Sequence, residues 1–419
     1  MPSTSDRRVG SAVTMTGAVP ATASDPVAAG RAWTAAWTTS PQRPGTGFAP
    51  NWSEQGFADQ TVRQVVRLSI GGDTIRVRLS NAYGTEPLVI AGATVALSAG
   101  GAAVHADTLR HLTANGSKTF TIAAGAEQAT DAVPFEAAGL DSVAVTLYLA
   151  APTGPATHHE QALATSYRSA RDHRADTGGA AFTETSQSWY YLSGIDVTGG
   201  PALPPGIVVF GDSLTDGTGS SPDGNNRFSD ALAERLAAAG RPRAVLNQGI
   251  GGNRVTVDSA WFGDRATARF ARDVLGQPAV GTVIILLGIN DIGMSEVAEA
   301  SPFPTFAPYT DVSAEEVIAG YRDMIRQAHA AGLRAVGATV MPAKPSAFST
   351  LRSESKRTAI NTWIRTSGAY DAVVDLDRAL RSPSAPDTLD PAFDSGDHLH
   401  LNDAGYRAMA DAIDLADLA

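Results

Sequence analysis

The chain has 419 residues, 43% hydrophobic and 18% charged, with a formal net charge of -11 at pH 7. That balance describes a globular protein long enough for two domains, and the negative charge argues against nucleic acid and anionic membrane surfaces, which call for basic patches. No run of about 18 apolar residues occurs, so no membrane-spanning segment is expected, and the absence of cysteine removes disulfides, thiol catalysis and thiolate metal sites.

Residues 1–30 are rich in Ala, Ser, Thr, Pro and Gly without a sustained period and read as a tail. Within them Arg7-Arg8, the stretch Val9 to Val19 and Ala21-Thr22-Ala23 have the layout of an export signal, interrupted by Gly10, Ser11, Thr14, Thr16 and Gly17. An extracellular location is therefore expected, with a cytoplasmic one as the alternative. From Arg31 to Gly200 the pattern is short, alternating and punctuated by turns. Thr61 to Ile70, Gly71-Gly72-Asp73 and Thr74 to Leu79 predict a hairpin. Leu88 to Leu97, Lys118 to Ile122, Ser142 to Leu149 and Ser188 to Val197 predict further strands. Such a series suggests a β-sandwich or jelly roll as an accessory domain over residues 31–200. Gly199-Gly200-Pro201-Ala202-Leu203-Pro204-Pro205 is a stiff linker and a natural boundary.

Residues 201–419 have a different texture. The apolar run Ile207 to Phe210 reads as a buried parallel strand. A helix over Arg227 to Ala239 stops at Gly240, and Ala244 to Leu246 is a second strand. Trp261 to Leu275 is expected as a helix and Thr282 to Leu287 as a third strand. Ser313 with Glu316 three residues on is a capping box for a helix to Ala331. A fourth strand over Arg334 to Val340, a helix over Glu354 to Thr366, a fifth strand over Ala372 to Leu376 and a last helix from Asn402 complete the series. Strict alternation implies an α/β fold with a five-stranded parallel sheet covered on both faces. Ligands of such sheets bind beyond the carboxyl ends of the strands.

Four motifs fall there: Gly211-Asp212-Ser213-Leu214, Asn247-Gln248-Gly249-Ile250-Gly251-Gly252-Asn253, Gly288-Ile289-Asn290-Asp291 and Asp397-His398-Leu399-His400. A serine hydroxyl needs a base to become a nucleophile at neutral pH. His400 is the candidate base and Asp397 the carboxylate that orients it. Charge developing on a substrate carbonyl needs preorganised donors, which the Ser213 N–H, a glycine N–H of the second motif and the Asn290 amide can supply.

With these blocks the chain resembles the GDSL, or SGNH, hydrolase family from about Ile207 to Leu415. The family's Ser, Gly, Asn and His positions match Ser213, Gly252, Asn290 and His400, with Asp397 completing a triad and Asp291 matching the acidic residue after the block asparagine. The resemblance implies a flavodoxin-like three-layer α/β/α sandwich and an oxyanion hole of Ser213, Gly252 and Asn290. The stretches Arg31 to Pro41 and Arg76 to Gly84 are similar, more loosely, to the β-rich leading part of secreted actinobacterial GDSL esterases.

Simpler readings stand beside these. Asp212 is read as fixing its loop, Asn402 as capping the last helix and His398 as a bystander. Asn290 alone could be a helix cap. His158-His159-Glu160 reads as a solvated loop rather than a metal site, and Trp189, Tyr190 and Tyr191 as sandwich core. The stretch Met294 to Asp311 is expected as a loop walling the pocket. A Gly-x-Ser-x-Gly elbow is absent, as are phosphate loops and dinucleotide fingerprints, so no cofactor and no metal are implied.

The expected activity is hydrolysis of carboxylic esters through an acyl-serine, on short-acyl or aryl esters. Acetylated polysaccharides and lysophospholipids are alternatives within the class. A different class is a glycan- or surface-binding protein with a vestigial hydrolase. Small-molecule or polysaccharide esters are thus the expected partners, and the oligomeric state is left open by the sequence.

Overall fold

The computed structural model of the chain describes residues 32–300 and 307–418. The stretch resembling an export signal lies outside the described residues, as do 301–306 of the expected pocket-wall loop. That loop begins later than expected, because a helix over Ile289–Ala300 takes up its first residues.

Residues 34–198 form antiparallel strands. One sheet orders Thr34–Thr38, Leu192–Thr198, Gly72–Ser80 and Val133–Ala137; another is built around Gln60–Arg67, Ser142–Leu149 and Gly92–Gly100. Side chains at every second position are wholly buried: Ile75, Val77 and Leu79 on the first sheet, and Val143, Val145, Leu147 and Leu149 on the second. Each such side chain contributes about 1.5–3 kcal/mol by leaving water.

The expected hairpin over 61–79 is corrected. Gln60–Arg67 pairs with Ser142–Leu149, whereas Gly72–Ser80 pairs with Leu192–Thr198, so the two strands belong to different sheets. The glycines between them serve close approach rather than a hairpin turn. A Cβ on Gly71 would lie 2.1 Å from the Ala137 carbonyl oxygen, and one on Gly72 would lie 2.5 Å from that of Thr198. Two expected single strands are also split. Leu88–Ile90 pairs with Phe120–Ile122 while Gly92–Gly100 joins the larger sheet. Trp189–Tyr190 and Leu192–Thr198 are separated by Tyr191, which has φ 59. Trp189, Tyr190 and Tyr191 are buried, as core residues.

Residues 206–374 carry a five-stranded parallel sheet in the order Val245–Gly249, Gly206–Gly211, Val280–Leu286, Arg334–Ala338, Ala372–Val374. In chain order this is 2-1-3-4-5, a doubly wound arrangement whose switch point lies between the first and third strands. The helix Phe228–Ala238 packs with Asp403–Asp411, while Ala314–Ala330 packs with Leu351–Thr366. Ser313 and Glu316 form the expected capping box, and Asn402 caps the last helix through the Gly405 N–H at 3.0 Å. Element boundaries differ at several places. The expected helix from Trp261 starts only at Ala266, because Asn253 Nδ2 holds the Phe262 and Asp264 carbonyls in a loop, at 2.6 and 2.9 Å. A short helix, Leu376–Ala379, capped by Asp375, follows the fifth strand.

The buried apolar cluster runs without a break from the β-rich part into the α/β part. At their junction the edge strand Val245–Gly249 lies beside Thr34–Thr38. Val245 N–H donates to Ser69 Oγ at 3.1 Å, and Ser40 Oγ donates to Gln248 Oε1 at 2.6 Å. An exposed strand edge invites association; here other segments of the same chain cover it. Among the described residues no helix is long and apolar enough to cross a membrane.

Candidate active site

All four motifs meet at the carboxyl ends of the parallel strands. Ser213 opens a short helix, Ser213–Asp216, directly behind the first strand. Asp212 is its N-cap and accepts from the Leu214 N–H at 3.0 Å, the loop-fixing role expected of it. Complete burial, opposed by that N–H and reinforced by Asp291, pushes the Asp212 carboxyl up to about 7. Asp291 holds the loop after the second strand by accepting from the Val255 and Thr256 N–H groups at 2.8 and 3.1 Å.

His400 Nε2 stands 2.9 Å from Ser213 Oγ, and His400 Nδ1 stands 2.6 Å from Asp397 Oδ2. Asp397 also accepts from the Leu399 and His400 N–H groups at 2.9 and 2.8 Å. Burial works to raise its pKa, but the His400 ring and these two N–H groups hold it well below the usual carboxylate range. An ionised carboxylate here fixes the proton on Nδ1 and leaves Nε2 free to accept from the serine hydroxyl. The loop itself is pinned from outside. Asn402 Nδ2 donates to the Ala392 and Asp394 carbonyls, and the Tyr406 hydroxyl donates to the Thr218 carbonyl at 2.6 Å. The last helix is thereby tied to the segment that follows Ser213. His398 points away, half exposed, with its Nδ1 2.6 Å from Asp394.

The second motif ends in a turn closed by Asn253 N–H to the Ile250 carbonyl at 3.0 Å. Gly252 sits in it at φ 71, where a Cβ would also lie 2.3 Å from the Phe262 ring. Glycine relieves both constraints. The two glycines differ in what their N–H groups do. Gly251 N–H donates to Asp216 Oδ2 at 2.9 Å, whereas the N–H groups of Gly252 and Ser213 have no partner among the described residues. Asn290 is no helix cap: it is the second residue of Ile289–Ala300, and its amide donates to the Asn253 carbonyl at 3.1 Å with one hydrogen to spare.

Some residues of the site escaped the sequence reading. Arg269, fully buried, donates to the Gly211 and Gln248 carbonyls at 2.7 and 2.8 Å and to Asn253 Oδ1 at 3.0 Å, joining the first two motifs. The expectation of a solvated loop at His158-His159-Glu160 is corrected, since the three residues are only 4%, 2% and 7% exposed. The reason is tertiary. His159 lies 3.0 Å from Asp216, and Glu160, pushed up to about 7 by burial, accepts from the Phe48 N–H. Among the described residues no group of three or more His, Cys, Asp or Glu is placed to hold a metal ion.

A doubly wound α/β sheet with serine, histidine and aspartate in hydrogen-bonded series at its carboxyl edge has the layout of a serine hydrolase. Residues 209–408 match the model of the GDSL-like Lipase/Acylhydrolase family. No curated protein matches the chain. Among solved structures it is similar to a variant of an acetyl xylan esterase from Geobacillus stearothermophilus, with 22% identity and TM-score 0.40 over 52% of this chain and 96% of that one. It is also similar to a GDSL-like lipase from Bacteroides thetaiotaomicron, with 19% identity and TM-score 0.35 over 50% and 86% of the two chains. An alpha/beta hydrolase enzyme from the metagenome of Lake Arreo gives 22% identity and TM-score 0.39 over 52% and 96%. At these identities and TM-scores the likenesses carry no argument about what the chain acts on.

Proposed function

We propose that the chain is a serine esterase that cleaves short-acyl or aryl carboxylic esters through an acyl-serine intermediate. The observation that carries this reading is the series Asp397, His400, Ser213, with links of 2.6 and 2.9 Å. Ser213 Oγ attacks the ester carbonyl while His400 Nε2 takes its proton. The proton passes to the departing alcohol, and water then releases the acid by the same route in reverse. Asp397 orients the ring and stabilises the imidazolium. The Ser213 and Gly252 N–H groups and the free Asn290 amide hydrogen stabilise the oxyanion. Residues 31–200 are, in this reading, a β-sandwich accessory domain of an exported protein and 201–419 the catalytic domain.

The test of substrate class is turnover of p-nitrophenyl acetate, butyrate and octanoate by the full chain. The expected order is a fall in kcat/KM with chain length. A rise toward octanoate would instead favour lipid esters. Asn290→Ala is expected to lower kcat about 10²–10³-fold with little change in KM, as for removal of one oxyanion donor. Steady-state kinetics checks this, and an effect confined to KM would make Asn290 a pocket residue only.

A further inference from the structure

A second histidine–aspartate pair lies buried at the junction of the β-rich and α/β parts, and the mechanism above does not use it. His159 sits on a two-residue strand paired with Trp189–Tyr190, and its ring stacks on Trp189 with centroids 5.6 Å apart. Its Nδ1 is 3.0 Å from the Ser40 carbonyl oxygen and its Nε2 is 3.0 Å from Asp216 Oδ1. A carbonyl oxygen only accepts, so Nδ1 carries a hydrogen. The contact between Nε2 and the carboxylate holds one further proton.

Asp216 is 3% exposed and closes the helix that Ser213 opens. Its other oxygen, Oδ2, accepts the Gly251 N–H at 2.9 Å. The fit between helix and turn is tight: a Cβ on Gly249 would lie 2.3 Å from the Asp216 nitrogen. One carboxylate thus joins three segments, namely the Ser213 helix, the glycine turn and the histidine of the β-rich part. Because it engages Gly251, the donor left without a partner in that turn, among the described residues, is the N–H of Gly252. Neighbouring groups from the β-rich part reinforce the joint. Gln161 Oε1 accepts from Thr218 Oγ1 at 2.5 Å and lies 2.9 Å from where a Cβ on Gly251 would stand. Ser40, which holds His159 through its carbonyl, also accepts at its hydroxyl from Arg269 at 3.1 Å.

We propose that His159 and Asp216 are a positioning pair through which the β-rich part of the chain sets the glycine turn for oxyanion binding. The inference rests on the esterase reading and on Gly252 as an oxyanion donor. A buried pair with a purely structural role would alter stability and leave kcat per folded molecule unchanged. A positioning pair alters kcat, because donors displaced by a fraction of an ångström no longer meet the developing charge.

The experiment compares His159→Phe, His159→Gln, Asp216→Ala and Asp216→Asn in the full chain, with thermal melting to establish the folded fraction. His159→Phe and Asp216→Ala are expected to lower kcat for p-nitrophenyl acetate about 10²-fold, with KM within about threefold of wild type. Asp216→Asn can accept from Gly251 and donate to a neutral His159, so it is expected to recover most of that loss. His159→Gln keeps a donor toward Asp216 but loses the Ser40 bond, and is expected to fall between; it carries the test if the harsher variants do not fold. Wild-type kcat in folded His159 variants, or losses confined to KM, overturns the proposal. Ser213→Ala, measured alongside, separates the two levels. If wild type shows no serine-dependent turnover, the esterase reading fails and takes this inference with it. If turnover depends on Ser213 but not on the pair, only this inference fails.

Discussion

Ser213→Ala is expected to lose about 10⁴–10⁶-fold in kcat while the protein stays folded. Ser213 is nearly buried at the start of its helix, and among the described residues its hydroxyl meets only His400 Nε2. Removing one oxygen there leaves no unpaired charge and opens little space, so stability should change by less than about 1 kcal/mol. What is lost is the covalent path. The residual rate would come from the oxyanion donors acting on attack by water. Progress curves with purified variant and wild type at equal folded concentration measure the ratio, and retained turnover removes Ser213 from its assigned role.

His400→Ala is expected to fall to about the same level, and the double variant with Ser213→Ala to fall little further. Groups that act as one unit are strongly non-additive, since a serine without its base and a base without its serine are equally idle. The geometry makes the unit explicit: Nε2 meets Ser213 and Nδ1 meets Asp397. His398 offers an internal comparison, because it pairs with Asp394 in the same loop and points away from Ser213. His398→Ala should retain nearly full kcat. Losses in His400→Ala and Ser213→Ala that multiply in the double variant would show two independent contributions.

The sequence was most legible where local chemistry constrains residue type. The first and third parallel strands are largely apolar because helices cover them, and the first and third motifs follow those strands at once. Caps could be read for the same reason, as Ser313 with Glu316 and Asn402 with Gly405 each act within three residues. Legibility failed where a residue's role depends on distant chain. Gly71 and Gly72 look like a hairpin turn until Ala137 and Thr198 are seen pressing on them. The Trp261 end of the third helix looks helical until Asn253 captures the Phe262 and Asp264 carbonyls. His159 looks like a polar loop residue because its partners, Ser40 and Asp216, lie more than 50 positions away on opposite sides in sequence. Arg269 escaped for a similar reason, since the acceptors that tie it to the first two motifs, the Gly211 and Gln248 carbonyls and Asn253 Oδ1, lie on other elements.

The central claim is that Ser213 is the nucleophile, and stoichiometric phosphorylation tests it most directly. The full chain is incubated with diethyl p-nitrophenyl phosphate, residual esterase activity is followed, and the modified peptide is sequenced by mass spectrometry. The account predicts one diethylphosphoryl group per chain, carried on Ser213, with activity lost in proportion to its incorporation. Full inactivation with the label on another residue, or undiminished ester turnover with Ser213 labelled, would contradict it.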